Sequence, residues 1–426
     1  MKVLHITAHM GGGVGNFLSA ALSYKESEQC IDIEHKIICL EQPKNWQFIT
    51  LCEERNISVE IASGDMDVKA LVWADIIVVH WWHCPSMCPF LANFPSIDVR
   101  MILMCHISGC NYPYLPAEFA LEFDEILFTS FYSYENAGWN RLQRQKIIDK
   151  SEVVYGLGKD DVRGASAHVQ EIKSQEKFRI LYVGTLEYSK IHPGYVDFCR
   201  AVVRQIPNAR FIMVGAIDVE GKLYKDIMNS EIKDYFDFVG YTQDVRYYLA
   251  QSDVFGYPLN PFHFGTTENV ILEAMAEGLP VVLLNQNTEK YIVKNLKNGL
   301  LADNIETYAE CMVYLYNHPE ECIRLGDEGR NTVHTTFNFD DNVNHFIAIL
   351  KKVGSYSKRK HSFKEYMGIT PYEWFIHFTG TYKPDFEKGM IKNIQEIFCV
   401  KSKSSILHFM SCFPEDEQLK SLAEKL

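Results

Sequence analysis

Phe264 to Leu284 reads FGTTENVILEAMAEGLPVVLL, and the fold follows from how this stretch is parsed. Small polar residues, Gly265, Thr266 and Thr267, precede a segment in which Val270, Ile271, Ala274 and Met275 fall on one face at helical spacing. Gly278 and Pro280 stop that helix. Val281 to Leu284 then form a short apolar run, as expected of a parallel strand covered on both faces. A helix start of this kind offers backbone N–H groups and a positive dipole end to an anion such as a diphosphate. Glu268 and Glu273 lie on or beside the helix, where carboxylates can bind sugar hydroxyls; an ordinary helix with solvated glutamates is the alternative.

Working outward, strand-length apolar runs alternate with helix-length segments on both sides. Val3–Thr7, His35–Leu40, Ser58–Ala62, Ile76–His80, Met101–His106, Ile126–Ser130 and Val153–Tyr155 form one series. Arg179–Gly184, Arg210–Gly215, Phe236–Tyr241, Val254–Tyr257, Val281–Leu284 and Gly299–Ala302 form a second. Such alternation means βαβ units and parallel sheets. We expect an α/β protein of two doubly wound, Rossmann-like domains facing a central cleft, with a linker near Gly156–Asp161. The expected boundaries are 1–156, 157–350, and 351–426 as a basic linker and C-terminal helical extension. The linker reading leaves Lys358, Arg359 and Lys360 as a solvated run or as a contact with a membrane or partner.

A length of 426 residues suits two such domains plus an appendage. A net charge of -13 argues against nucleic acid as the principal partner. No apolar run reaches the length of a membrane span, and Met1 leads straight into VLHIT without a signal-peptide pattern, so a cytoplasmic protein is expected. The 12 cysteines are scattered, with Cys39 and Cys105 inside strand-like runs, as suits buried reduced thiols.

Three further places carry candidate chemistry. HMGGGVGN, residues 9–16, is glycine-rich where a strand hands over to a helix. Starting from Gly11 and Gly13, the dinucleotide fingerprint needs a third glycine where Asn16 stands, which disfavours a nicotinamide site. Close approach of the backbone to a phosphate or sugar, or simply a tight turn, remains. His106 ends MILMCH, where a strand-end histidine can reach a ligand or serve the structure alone. Lys190, in ILYVGTLEYSKIHPG, arrives after a strand and can neutralise a diphosphate or simply lie on the surface. His80, His83, Cys84, Cys88, Cys105, His106 and Cys110 include zinc-type ligands, but the spacing lacks paired C-x2-C knuckles, so no metal site is expected.

VGTLEYSK, FIMVG, FVGYTQDVRYYLAQSDVFGYPL, TTENVILEAMAEGLPVV and NGLL occur in the order found in family 4 retaining glycosyltransferases, and residues 178–302 resemble their nucleotide-sugar domain. The N-terminal part matches more loosely. The resemblance implies the GT-B fold, a nucleotide diphosphate sugar as donor substrate, no separate cofactor, and a glycan or glycolipid acceptor in polysaccharide assembly, with a peripheral membrane position compatible. It implies that Glu273 binds the ribose, Lys190 holds the diphosphate, His106 touches the donor sugar, and Gly13 and Gly15 close over the phosphates. Thr266, Thr267, Asn269 and Val270 would cap phosphates, and Gly240 and Tyr241 would lie near the base. Two departures stand out: Gly265 occupies the position of the family's first glutamate, and Thr185 that of its arginine. Glu268 is the candidate replacement carboxylate, which puts it with His106 and Lys190 among the candidate catalytic residues. A nucleotide-sugar epimerase and a non-catalytic nucleotide-sugar-binding subunit are the rival functions for the same fold.

Overall fold

The computed structural model describes residues 1–24, 32–43, 46–62, 68–158, 162, 177–388, 398 and 404–425. The expected linker extends beyond residue 158, outside the described residues. By internal contacts the chain divides into two units. The first comprises Met1–Lys159, Phe264–Thr267 and Phe339–Leu426, and the second Asp160–His263 and Glu268–Asn338.

In the first unit the described residues form a seven-stranded parallel sheet. Its strands are β1 (Lys2–Thr7), β2 (Glu34–Cys39), β3 (Ser58–Ile61), β4 (Ile76–Trp81), β5 (Met101–Cys105), β6 (Glu125–Phe128) and β7 (Ser151–Val153). Their order is β3-β2-β1-β4-β5-β6-β7, so the winding reverses between β1 and β4. Every residue of β4 and β5 is buried, as strands covered on both faces require.

In the second unit, β8 (Phe178–Val183), β9 (Ala209–Val214), β10 (Phe236–Gly240), β11 (Val254–Tyr257), β12 (Val281–Leu284) and β13 (Leu300–Ala302) form a parallel sheet in the order β10-β9-β8-β11-β12-β13. Here the winding reverses between β8 and β11. Helix Tyr195–Gln205 shows why the covering helices form: Tyr195, Phe198, Cys199 and Val202 recur on one buried face at helical spacing. Both sheets are Rossmann-like, the fold class expected from the alternation.

Within residues 351–364, read in the sequence as a solvated linker ahead of a packing helical extension, several side chains are paired internally. Helix Phe339–Gly354 packs with the first unit, whereas the sequence periodicity drew the boundary at 350. After it, Arg359 forms an antiparallel bridge with Val99. Its Nε donates to Asp124 Oδ1 at 2.7 Å, and Lys352 Nζ lies 3.0 Å from Glu125 Oε1. His361, buried, lies 3.2 Å from Asp124 Oδ2. Burial pushes the Asp124 carboxyl up, but the bonds from His361, the Met101 N–H and Arg359 outweigh it and hold the group below its ordinary value. These basic residues are spent on internal carboxylates. Phe363, Trp374, Phe375, Phe378 and Phe409 then join Trp81, Phe119 and Phe123 in one apolar cluster, so the C-terminal segment completes the first unit's core.

Candidate functional site

In the second unit the site grows from the loop after β8, one of the two strands at the winding reversal, where open α/β sheets bind ligands. The Lys190 N–H donates to Glu187 O, the Asn260 N–H donates to Lys190 O at 2.9 Å, and Ile191 bridges Leu259. The loops leaving β8 and β11 are thereby stitched together, which fixes the lysine backbone. Lys190 Nζ donates to both carboxylate oxygens of Glu268, at 2.5 and 2.6 Å. The Glu268 side chain is only 5% exposed and that of Lys190 20%, so the pair is largely withdrawn from solvent.

Further groups converge on the same carboxylate. His263 Nδ1 lies 3.6 Å from Glu268 Oε1, and the Tyr257 hydroxyl donates to Oε2 at 3.5 Å. His263 Nε2 in turn lies 3.2 Å from the buried Glu289. Burial pushes the Glu268 carboxyl up, but the Lys190 charge, His263 and the Tyr257 bond hold it below the ordinary range. Glu268 also has left-handed backbone, φ 48° and ψ 61°, a conformation costing a non-glycine residue about 1 kcal/mol.

The helix after Glu268 runs Asn269–Ala276. The helix does not open at the Gly265–Thr267 turn; the left-handed Glu268 intervenes. Thr266 and Thr267 pack with the first unit, where Thr267 Oγ1 donates to Thr129 O at 3.0 Å and accepts from the Gly156 N–H at 3.2 Å. That hydroxyl is committed to backbone. Asn269, Val270 and Glu273 are half-buried. Thr185 is exposed, and Tyr241, at the end of the edge strand β10, is 71% exposed.

In the first unit, Gly13 and Gly15 part company. A Cβ at Gly15 would stand 2.8 Å from the Met10 carbonyl and 2.7 Å from the Phe48 ring, so packing accounts for that glycine. Gly13 is exposed, with open space where a Cβ would sit. His106 follows β5, its N–H donating to Trp81 O, and its Nε2 lies 2.9 Å from His80 Nδ1. Its Nδ1 looks toward Gly156, where a Cβ would be 4.0 Å away. Burial lowers the His106 pKa to about 3, keeping the ring neutral. Among the described residues no group of three His, Cys, Asp or Glu side chains could hold a metal ion. His83 bonds Trp374 O, and Cys84 donates to Glu41.

Residues 166–332 match the family model of glycosyl transferases group 1. Apart from Phe264–Thr267, that match falls within the second unit and makes it similar to group 1 glycosyl transferases. An uncharacterized glycosyltransferase of Haemophilus influenzae is 29% identical over 161 residues, covering 36% of this chain and 44% of that protein. The amylovoran biosynthesis glycosyltransferase AmsK of Erwinia amylovora is 25% identical over 170 residues, covering 38% and 42%. The matches thus span less than half the length of these two curated relatives. The crystal structure of Anabaena Alr3699/HepE in complex with UDP superposes with a TM-score of 0.63 at 16% identity, covering 83% of this chain and 100% of that one. At that identity the likeness concerns the fold, which is GT-B.

Within the matched region the structure brings Lys190 and Glu268 into direct contact. It adds Tyr257, His263 and Glu289, which sequence reasoning missed. A signal was present for His263, which lies five residues before Glu268 in NPFHFGTTE, but nothing in a linear pattern shows a histidine set between two carboxylates.

Proposed function

We propose that the chain transfers a sugar from a nucleotide diphosphate sugar to an acceptor hydroxyl of a glycan or glycolipid, with retention at the anomeric carbon and without a metal ion. The observation that carries this reading is the buried Lys190–Glu268 pair at the winding reversal of the sheet in the region that matches group 1 glycosyl transferases. A lysine ammonium has three donors, and Glu268 takes two of them, leaving one for a phosphate oxygen. As the bond from the sugar to the diphosphate breaks, charge grows on the leaving oxygens, and preorganised donors stabilise it most. Lys190 and the first amides of helix Asn269–Ala276 supply those donors. The leaving phosphate oxygen takes the acceptor proton on the same face. Glu273 binds the ribose, His106 the donor sugar, Gly13 approaches the phosphates, and Gly240 and Tyr241 lie near the base.

Relatives named for amylovoran and lipopolysaccharide core biosynthesis support an acceptor in cell-surface polysaccharide assembly. Among the described residues no helix is long and apolar enough to cross a membrane, and a peripheral position at the inner face fits a glycolipid acceptor. The UDP complex of the Anabaena protein makes uridine the first base to try. The test is a thermal-shift and donor-hydrolysis panel over uridine, guanosine and adenosine diphosphate sugars. One donor that stabilises the fold and is slowly hydrolysed is expected. If none does either, the reading falls.

A further inference from the structure

Four histidines cross the first unit's sheet in single file. His35 Nδ1 lies 3.0 Å from His5 Nε2, His5 Nδ1 3.0 Å from His80 Nε2, and His80 Nδ1 2.9 Å from His106 Nε2. The strand register explains the line. His5 of β1 pairs with Ile37 of β2, two residues beyond His35. It pairs with Val78 of β4, two residues before His80, and His80 pairs with Met104 of β5, two residues before His106. A step of two keeps every side chain on one face of a pleated sheet, so the file advances diagonally toward the carboxyl ends of the strands. Phe17 and Phe346 wall it, with ring centroids 6.3 Å from His106 and 6.5 Å from His5 respectively. His5 and His80 are completely buried.

Every link runs from the Nδ1 of one ring to the Nε2 of the next. A neutral imidazole has one donor and one acceptor nitrogen. All three bonds therefore form only if all four rings carry their proton on Nδ1, or all four on Nε2. A mixed file sets two N–H groups or two lone pairs face to face and forfeits a buried hydrogen bond. With all protons on Nδ1, the His106 Nδ1 that looks toward Gly156 is a donor; with all on Nε2 it is an acceptor.

We propose that His35, His5 and His80 are positioning residues that act as one tautomer relay, setting whether His106 Nδ1 donates to or accepts from a sugar hydroxyl. Reversal from the Nε2 form to the Nδ1 form moves each shared proton across its own hydrogen bond. One N–H bond forms at His106 Nδ1, taking a proton from water or a ligand hydroxyl. One breaks at His35 Nε2, releasing a proton to water, and both end states of the relay are neutral. His35 suits that end, being half-buried and lining a cavity of about 650 Å³ with Met1, Lys2, Asp32 and Arg55. The consequence for a sugar rests on the function proposed above; the coupling of the four rings does not.

The test is long-range 1H–15N ring spectroscopy of the full chain labelled with 15N-histidine, at neutral pH. The four rings are expected to report one common tautomer, and His35→Phe, far from the sugar end, is expected to shift the His106 ring nitrogens. Mixed tautomers or a charged ring in the file would overturn the relay. So would a His106 signal indifferent to His35→Phe; should that variant not fold, His35→Gln serves, and the wild-type tautomers remain decisive alone. Adding the donor that stabilises the protein is expected to shift the resonances of all four rings together. A common tautomer with no response to any nucleotide sugar would leave the relay standing and remove His106 from the donor site.

Discussion

Lys190 and Glu268 define each other's behaviour at the scale of single residues. Removing one partner of a buried pair leaves an uncompensated charge, at a cost of about 3 kcal/mol. Lys190→Ala is therefore expected to lose stability, which the isolated sequence position did not indicate, and, under the proposed function, to lose turnover by about a hundredfold, the effect of one missing donor to the leaving group. The double variant Lys190→Met with Glu268→Gln recovers much of the urea midpoint but none of the transfer rate. A midpoint unchanged in Lys190→Ala would mean that the pair is open to water. The histidine file gives a second prediction, in pH. Burial lowers His5 and His80 well below their usual values; burial and then the N-terminal ammonium lower His35 to about 4; burial lowers His106 to about 3. The unfolded chain takes up protons near the ordinary histidine value of about 6.5, before the folded one does. Stability is then fully present above about pH 6.5 and falls as pH drops toward the folded values, by up to about 1.4 kcal/mol per pH unit for each histidine held neutral. Urea midpoints at pH 7.5 and 5.5 check this, and the drop is smaller in His80→Leu than in the wild type.

Among the elements, helix Asn269–Ala276 shows how one segment is bounded by two different devices. It starts after a strained Glu268 whose side chain faces Lys190 instead of capping the helix. It ends at Gly278, φ 75°, a left-handed position where a Cβ would also collide with the Arg330 guanidinium. Arg330 donates to Ala276 O at 3.3 Å and to Glu277 O at 3.1 Å, placing a cation on the helix's negative end. Arg330→Ala is expected to lower stability by about 1–2 kcal/mol, the worth of charge-assisted hydrogen bonds. Because these contacts lie at the far end from Lys190, donor affinity is expected to stay within about twofold, which titration of the stabilising nucleotide checks. The helix and its stop were legible in the sequence, since periodicity, Gly278 and Pro280 are local signals. Its first residue was not, because it follows a left-handed Glu268 whose side chain pairs with a lysine 78 positions away.

At the scale of the whole molecule, the C-terminal segment is part of the first unit's core. Cutting the chain after Gly354 removes Phe363, Phe375, Phe378 and Phe409 from the cluster around Trp81 and Phe119. A chain so truncated is expected to aggregate or bind a hydrophobic dye, and a soluble, dye-silent product would contradict the packing. The strands of both sheets came from alternation that any sequence window displays; the order in which they pair, and so the place where each winding reverses, came only with the structure. So did the partners of Arg359, His361 and Lys352, because Asp124 and Glu125 lie more than two hundred positions away.

The sequence by itself determined the two Rossmann-like sheets, the strand-end placement of His106, the loop placement of Lys190 after β8, and the identity of the helix that follows Glu268. Each depends on periodicity and turn chemistry within a few residues. Tertiary structure alone decided that Glu268 is the buried partner of Lys190, that Gly15 is a packing glycine while Gly13 is open, and that His5, His35 and His80 stand in line with His106. These depend on the register between strands and on which loops are stitched together, quantities set by the packing of the whole sheet and carried by no single stretch of chain.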